Sequence, residues 1–493
     1  MTKQPLGLWA CYLTCALAMF ANGTNFAYPV LSTKLLAAGL DTSQIVITGV
    51  LIQMGYGLSS ILFAAFYSRT YKRVSLAGVD RASNILACSL VLISLAILSG
   101  LLTHAEASGE PVSGPIVSLL FMIWGTGLGL TAFHSLSLVN FIFAANKAQR
   151  RVGVASMTAS LGIGSVVYTL LYQFVLNYIS LVDNITVLLV TYGVITAFRL
   201  IFMQRGHFQP VGSDGASHGG VVSVAKDTQT RETNERLSNL VRDVDAHTAM
   251  TAVPVSIPVE AAETAPTMWS YLKSRIVWYL SIASFFGFGV GGTYLSSVGS
   301  LAASLVDGEA EIDALTFRLT LALLCLVLVG RLVTTFVYAH ANWPYMLAVW
   351  TASQFVGNLV FTASPTLAGA YASACLVGLG FGGISSVPPV VATSNFPGSV
   401  QYYSVNVAVA SILMSVGPFI IGYVQTVLEE QPRIRLGGDF ENANTFVYFL
   451  ACSFVSAFCA GMLGNEIRKE NSASTSDATT VPTPSRELTS DDL

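Results

Sequence analysis

Apolar residues run along this chain in long blocks. A helix needs about 20 mainly apolar residues to cross a bilayer. By that ruler twelve blocks qualify. Six lie in the first half, at roughly 8–31, 43–67, 82–103, 115–139, 152–178 and 184–203. Six lie in the second, at roughly 277–301, 315–339, 344–364, 367–391, 402–427 and 445–464. The pattern predicts an all-α membrane protein of twelve transmembrane helices in two six-helix pseudo-symmetric halves, residues 1–204 and 275–466. Residues 205–274 between them hold Ser, Thr, Asp, Glu and scattered Arg without a sustained period. Such a segment buries too little apolar surface to offset its ordering entropy, so a disordered linker is expected there. Residues 467–493 read as a disordered tail for the same reason.

Composition agrees. The chain is 53% hydrophobic and 10% charged, with a mean hydropathy of +0.63. Soluble domains carry about 25% charged residues. The net charge of −3 is too small to bear on partners, and the lack of a basic domain argues against nucleic acid. The partners expected instead are the lipid bilayer and a small-molecule substrate. The first apolar run follows a single basic residue, Lys3, and has full span length, so a retained helix is expected rather than a cleaved leader. All seven cysteines fall inside apolar blocks, where they read as small packing residues. No metal or cofactor spacing is present.

Loop charges give an orientation. Arg69, Lys72, Arg73 and Arg81 lie between spans two and three, and Lys147, Arg150 and Arg151 between four and five. The alternate loops are mostly acidic, with Glu106, Glu110, Asp307, Glu309, Glu311 and Asp313. This bias predicts both termini, the linker and the tail on the cytosolic side. The sequon Asn184-Ile-Thr186 falls too close to a span to be an expected glycosylation site.

Candidate chemistry starts at Phe20-Ala-Asn-Gly-Thr-Asn-Phe-Ala-Tyr-Pro29 in span one. Asn22, Gly23, Thr24 and Asn25 crowd polar and helix-weakening residues where no water can satisfy a loosened backbone. Span seven carries a related stretch, Phe286-Gly-Phe-Gly-Val-Gly-Gly-Thr-Tyr294, so Gly23-Thr24 echoes Gly292-Thr293. Interrupted segments at matching positions of two halves point to a transporter's binding site. Spans four and ten carry glycine ladders, Gly125 to Gly129 and Gly378 to Gly383. The glycines read first as close helix packing, and the polar residues after them, Thr131, His134, Ser385 and Ser386, as lining.

Asp and Glu are absent from the middle of every span. Arg331 in span eight reads as the one deep cation, able to hold an anionic group bidentately or to cap helix ends. Arg199 lies close enough to the end of span six to snorkel. His134 reads as a proton relay or as a neutral packing group. Gln53, ahead of Gly55-Tyr-Gly57, leads the remaining in-span polar residues, which include Gln354, Asn358, Asn406 and Gln425 and read mainly as helix bridges. The substrate-binding set is therefore Asn22, Thr24, Asn25, Gln53, His134, Thr293, Tyr294, Arg331 and Ser385.

These features resemble the major facilitator superfamily. Its loop between spans two and three follows Gly-x-x-x-Asp-Arg-x-Gly-Arg-Arg. Here Ala64 to Arg73 keeps the basic positions, with Ser68 in place of the acid and Tyr71 in place of the second glycine. The antiporter-type Gly-Pro of span five is absent, since that span reads Leu161-Gly-Ile-Gly-Ser. Within the superfamily the chain is similar to nodulin-like proteins and to fungal homologues of monocarboxylate transporters. The similarity rests on Gly23 to Pro29, Lys147 to Val167, Gly292 to Ser300 and Gly330-Arg331. It implies that Arg331 takes part in substrate binding, and it implies a vacuolar membrane, with the plasma membrane as alternative.

The sequence thus points to a secondary-active or facilitative carrier of a small organic solute, with monocarboxylates one candidate class and proton coupling open. It does not point to an enzyme, since paired carboxylates, Ser/His/Asp sets and metal clusters are missing at the membrane surface. The alternative is a non-transporting membrane sensor or scaffold that signals through the linker and tail. Deleting residues 212–265 separates the two: a carrier should keep its flux, and a sensor should lose its output.

Overall fold

A computed structural model describes residues 6–70, 76–143, 147–205, 274–340, 345–395, 416–425, 427–428 and 443–479. The expected linker, the last part of the expected tail and most of span eleven, with Asn406, lie outside the described residues. The described elements belong to one compact unit, made of chain on both sides of residues 211–271. All of them are helical.

In the first half these are α1 (Leu6–Asn22), a 3-10 turn (Gly23–Ala27), α2 (Tyr28–Ala37), α3 (Thr42–Thr70), α4 (Leu76–Ser108), α5 (Gly114–Ile142), α6 (Lys147–Phe174) and α7 (Leu181–Arg205). In the second half they are α8 (Arg275–Ser296), α9 (Val298–Ala303), α10 (Glu309–His340), α11 (Met346–Ala363), α12 (Leu367–Asn395) and α14 (Ala443–Thr479). Between α12 and α14 comes α13 (Val416–Gln425).

Nine of the described helices are long and apolar enough to cross a membrane. They match expected spans three to ten and twelve. Span one is divided by its 3-10 turn into α1 and α2. Span two is α3, whose apolar part is Gln44–Ser59. Span eleven is represented by α13. This is an integral, multi-pass membrane protein.

Several helices outrun the apolar blocks. α4 begins at Leu76 and α10 at Glu309, while α14 continues to Thr479, into the stretch read as tail. Hydropathy marks only the part inside hydrocarbon, and nothing in these segments breaks the helix at the boundary. Exposed Lys469 lies 2.8 Å from the partly buried Glu466, three residues before it on α14.

Local chemistry sets the ends. Gly39 adopts φ +95°, and the Leu40 amide donates to the Leu35 carbonyl at 3.2 Å. This is the left-handed close that a glycine permits after a helix. Asp41 and Gln44 then cap α3 reciprocally, the Gln44 amide donating to Asp41 Oδ1 at 2.7 Å and the Asp41 amide to Gln44 Oε1 at 3.3 Å. Ser180 caps α7, its hydroxyl accepting from the Asp183 amide at 3.0 Å. The sequon's Asn184 is fully buried, and its Nδ2 donates to the Leu176 carbonyl at 2.9 Å. A glycan has no access to it.

The glycine ladders are helix contacts. On α5, Gly125 and Gly129 press on the Ile52 and Tyr56 carbonyls of α3, and Gly55 of α3 presses back on Met122. On α12, Gly378 and Gly382 press on the Leu323 and Val327 carbonyls of α10, and Gly330 returns the contact to Leu379. The same device therefore joins spans two and four and spans eight and ten. A second repeated crossing joins Gly164 of α6 to the Phe20 carbonyl of α1, and Gly417 of α13 to the Phe285 carbonyl of α8. Bilayer lipid supplies no hydrophobic drive between helices, so such backbone approaches carry the packing.

Two apolar cores result. One lies within the first half and includes Tyr28, Leu31, Leu35, Phe121 and Trp124. The other is shared by both halves and includes Cys11, Cys15, Met19, Met157, Leu161, Leu324, Val327 and Phe381.

A Gly164→Val variant should lose about 3 kcal/mol or fail to fold, because its Cβ would overlap the Phe20 carbonyl. Gly461→Ala, with nothing within 4 Å of the new methyl, should be neutral or gain up to about 1 kcal/mol. Thermal unfolding in detergent, read beside size-exclusion profiles, checks both.

Candidate functional site

The weak point expected in span one is present as the 3-10 turn Gly23–Ala27. Span seven breaks too, at Ser297, where φ is −95° and ψ is 1° between α8 and α9. Both halves thus interrupt their first helix. The Gly-Thr echo does not mark equivalent contacts, however. Gly23 packs on Gly164 and Ser165, whereas the matching crossing in the second half uses Gly289 on Gly417. Gly292 lies about one turn beyond that crossing, against Pro418.

The expected site residues separate into groups. Thr24 Oγ donates to the Ala21 carbonyl at 2.9 Å and lies 2.9 Å from the Tyr192 hydroxyl. It ties α1 to α7. Thr293 Oγ donates to the Pro418 carbonyl at 3.3 Å, which ties α8 to α13. The Tyr294 hydroxyl donates to Ser373 at 3.1 Å, with the ring against Phe446. Gln53 is buried within α3. Asn22 is buried and donates from Nδ2 to the Leu128 carbonyl at 2.9 Å, its Oδ1 having no partner among the described residues.

Arg331 and Ser385 come together, and they do so at the meeting of the halves. Arg331 is 1% exposed. Its Nε donates to Ser385 Oγ of α12 at 3.1 Å, and its Nη1 donates to the Thr158 carbonyl of α6 at 3.0 Å. The Phe26 ring of the 3-10 turn lies beneath the guanidinium, 5.1 Å from its carbon. Ser386 Oγ reaches Thr158 Oγ1 at 3.3 Å. One guanidinium thus touches spans one, five, eight and ten.

Open amides flank this point. Neither polar atom of the buried Asn25 side chain has a partner among the described residues, and the same holds for Gln354 of α11. Phe26 packs on Phe381, with centroids 6.1 Å apart, and Phe381 packs on Phe288 at 4.9 Å. Gly291 of α8 leaves the space into which Phe381 and Gln354 press. An unpaired amide in a protein interior forfeits roughly 1–3 kcal/mol. Asn25 and Gln354 are therefore groups suited to bind something.

His134 lies elsewhere, and it brings a correction. Arg199, expected to snorkel, is 1% exposed and turned into the bundle, with Nη2 2.7 Å from His134 Nδ1. A guanidinium only donates, so Nδ1 accepts and the imidazole carries its proton on Nε2. Arg331 is accordingly not the single deep cation. The helix-end position of Arg199 favours snorkelling, but the acceptor on α5 holds it inside.

Thr158, Arg199, Phe26 and Phe381 were not among the sequence candidates. Thr158 acts through its backbone carbonyl, for which no sequence signal exists. Gln354 was read as a helix bridge. Asn358 and Gln425 do bridge helices: Asn358 Nδ2 donates to Ser453 at 2.9 Å, and Gln425 Oε1 accepts from Ser297 at 2.9 Å.

The two halves also meet near the Gly39 end of the bundle. A Cβ at Gly49 of α3 would lie 2.8 Å from the Tyr28 ring and 3.5 Å from Ser296 Oγ of α8. One at Gly422 of α13 would lie 2.9 Å from Val50.

Solved structures show a matching architecture. A variant of the E. coli fucose:proton symporter FucP aligns with 92% of this chain and 97% of its own, at 15% identity and a TM-score of 0.53. FucP, a major facilitator superfamily transporter, in its outward conformation aligns with 92% of this chain and 98% of its own, at 15% identity and a TM-score of 0.52. The chain has the major facilitator fold. No family model and no curated protein sequence matches it. Arg331 makes a contact between the two halves, from α10 to the Thr158 carbonyl of α6.

His134→Leu should destabilise the protein by about 3–5 kcal/mol, because it strips a buried cation of an acceptor. His134→Asn, which keeps an acceptor, should cost less. Thermal unfolding of the two variants gives the comparison.

Proposed function

We propose that this protein is a transmembrane transporter that moves a small organic solute by alternating access. The halves would rock about a midplane site bounded by Asn25, Phe26, Gln354, Phe381, Arg331 and Ser385. The reading is carried by Arg331, a buried cation on one half that donates to a backbone carbonyl of the other. A neutral carbonyl is a weak partner for a buried cation. A substrate carboxylate makes shorter and roughly twice as strong charge-assisted bonds. A monocarboxylate that takes the place of the Thr158 carbonyl would release the contact between halves, which couples binding to movement. Proton coupling is then assigned to the substrate's own acid group or to no proton at all, since His134 Nδ1 is engaged by Arg199. The basic loops place both termini on the cytosolic side in this reading, which makes the Gly39 end the non-cytosolic one, and a vacuolar membrane its home.

A second reading is favoured by the open amides of Asn25 and Gln354. Carboxamides beside stacked phenylalanines suit a neutral hydroxylated solute. The fucose:proton symporters of matching fold give that reading a substrate to try.

Uptake of labelled lactate, pyruvate and L-fucose into proteoliposomes, with and without a pH gradient, tests both. Carboxylate uptake should be saturable and should fall about 30-fold or more in Arg331→Ala, as for loss of one member of a buried charged pair. Carboxylate flux untouched by Arg331→Ala would overturn the role of Arg331. Fucose uptake lost in Asn25→Ala or Gln354→Ala would establish the second reading.

A further inference from the structure

The first half buries a second guanidinium that the transport reading leaves unused. Arg199 gives one donor to His134, while its Nε and Nη1 are buried without a partner among the described residues. Asn84 Nδ2 on α4 and Ser137 Oγ on α5 are likewise buried without a hydrogen-bond partner among the described residues.

The groups lie at similar distances from helix ends. Arg199 lies six residues before the end of α7, and Asn84 eight residues after the start of α4. His134 and Ser137 lie eight and five residues before the end of α5. At 1.5 Å per residue each is about 8–12 Å from the end of its own helix. α4 packs on both α5 and α7, and the Arg199–His134 bond joins α5 to α7.

The free groups of the set are donors. Arg199 Nε and Nη1 and Asn84 Nδ2 only donate, while Asn84 Oδ1 is taken by the Cys88 thiol. The Ser137 hydroxyl can donate, and Arg199 forms no ion pair among the described residues. A buried cation without a counter-charge is costly to hold in a membrane bundle. The segments entering and leaving at these helix ends carry Arg81, Lys147, Arg150 and Arg151 in sequence, which draws anions toward them.

We propose that Arg199, with Asn84 and Ser137, forms an oxyanion site in the first half, for a carboxylate or phosphate group and separate from Arg331. His134 is its positioning residue: by accepting at Nδ1 it keeps the guanidinium from snorkelling and leaves Nε and Nη1 to the ligand. Soluble anions and lipid headgroups share this chemistry.

Thermal unfolding of the full chain in nanodiscs separates the sources. In phosphatidylcholine alone, inorganic phosphate or acetate at constant ionic strength should raise the midpoint saturably against chloride. With phosphate as the probe, Arg331→Gln should shift as the wild type does; acetate, a monocarboxylate, is read only against Arg199→Gln. Arg199→Gln should raise the apparent dissociation constant about tenfold or more, as loss of a charge-assisted donor implies. If the source is a headgroup, phosphatidic acid in the disc should stabilise the wild type but not Arg199→Gln, and soluble anions should add nothing. A wild type indifferent to phosphate, acetate and phosphatidic acid alike would overturn the site, as would an Arg199→Gln protein that responds normally. Should Arg199→Gln not fold, the Asn84→Ala, Ser137→Ala double variant decides. Weakened binding supports the site and unchanged binding overturns it.

Discussion

Hydrocarbon cannot hydrate a guanidinium, and a guanidinium does not give up its proton. Most of what is distinctive in this bundle follows from two such groups inside it. Arg331 and Arg199 must each be answered by protein atoms, and among the described residues the hydrogen-bond partners of each are neutral. Arg331 finds its answer across the boundary between halves, so the proposed rocking would break its bond to Thr158. Arg199 finds its answer within one half, so the same rocking would leave its bond to His134 in place.

The surroundings of these cations are kept tight by the absence of side chains. Glycines let α3 meet α5 and α10 meet α12 at backbone distance, and a second glycine crossing holds α1 to α6 and α8 to α13. Each half is therefore stiff where its helices cross, while among the described residues the hydrogen bonds across the boundary at the Arg331 level are few and go to neutral acceptors. Rigid halves joined by weak bonds are what a rocking mechanism requires.

The architecture was legible because hydrocarbon imposes a length and a composition that the sequence displays directly. The repeat was legible as well, through glycine spacing. The site was legible only in part. Arg331 and Ser385 were found because charge and hydroxyl are conspicuous in an apolar block, and their meeting was not foretold. Thr24, Thr293 and Tyr294 looked like lining and serve as ties between helices, because a hydroxyl in a membrane helix satisfies a nearby carbonyl as readily as it meets a ligand. Arg199 was misjudged because sequence gives distance from a helix end but not the presence of His134 on the neighbouring helix. The Gly-Thr echo misled by about one turn, since matching letters need not occupy matching heights.

The short 3-10 turn at Gly23–Ala27 has an effect beyond loosening span one. A 3-10 helix advances 120° per residue where an α-helix advances 100°. Over five residues the excess is about 100°, so the stripe of residues facing inward before the turn faces a quarter-circle away after it. Below the turn, Cys11, Cys15 and Met19 belong to the core shared by both halves. Above it, Tyr28, Leu31 and Leu35 belong to the core of the first half alone. The turn works as a phase shifter in a single rod. Were the same five residues α-helical, the stripes before and after them would stay in phase along the rod.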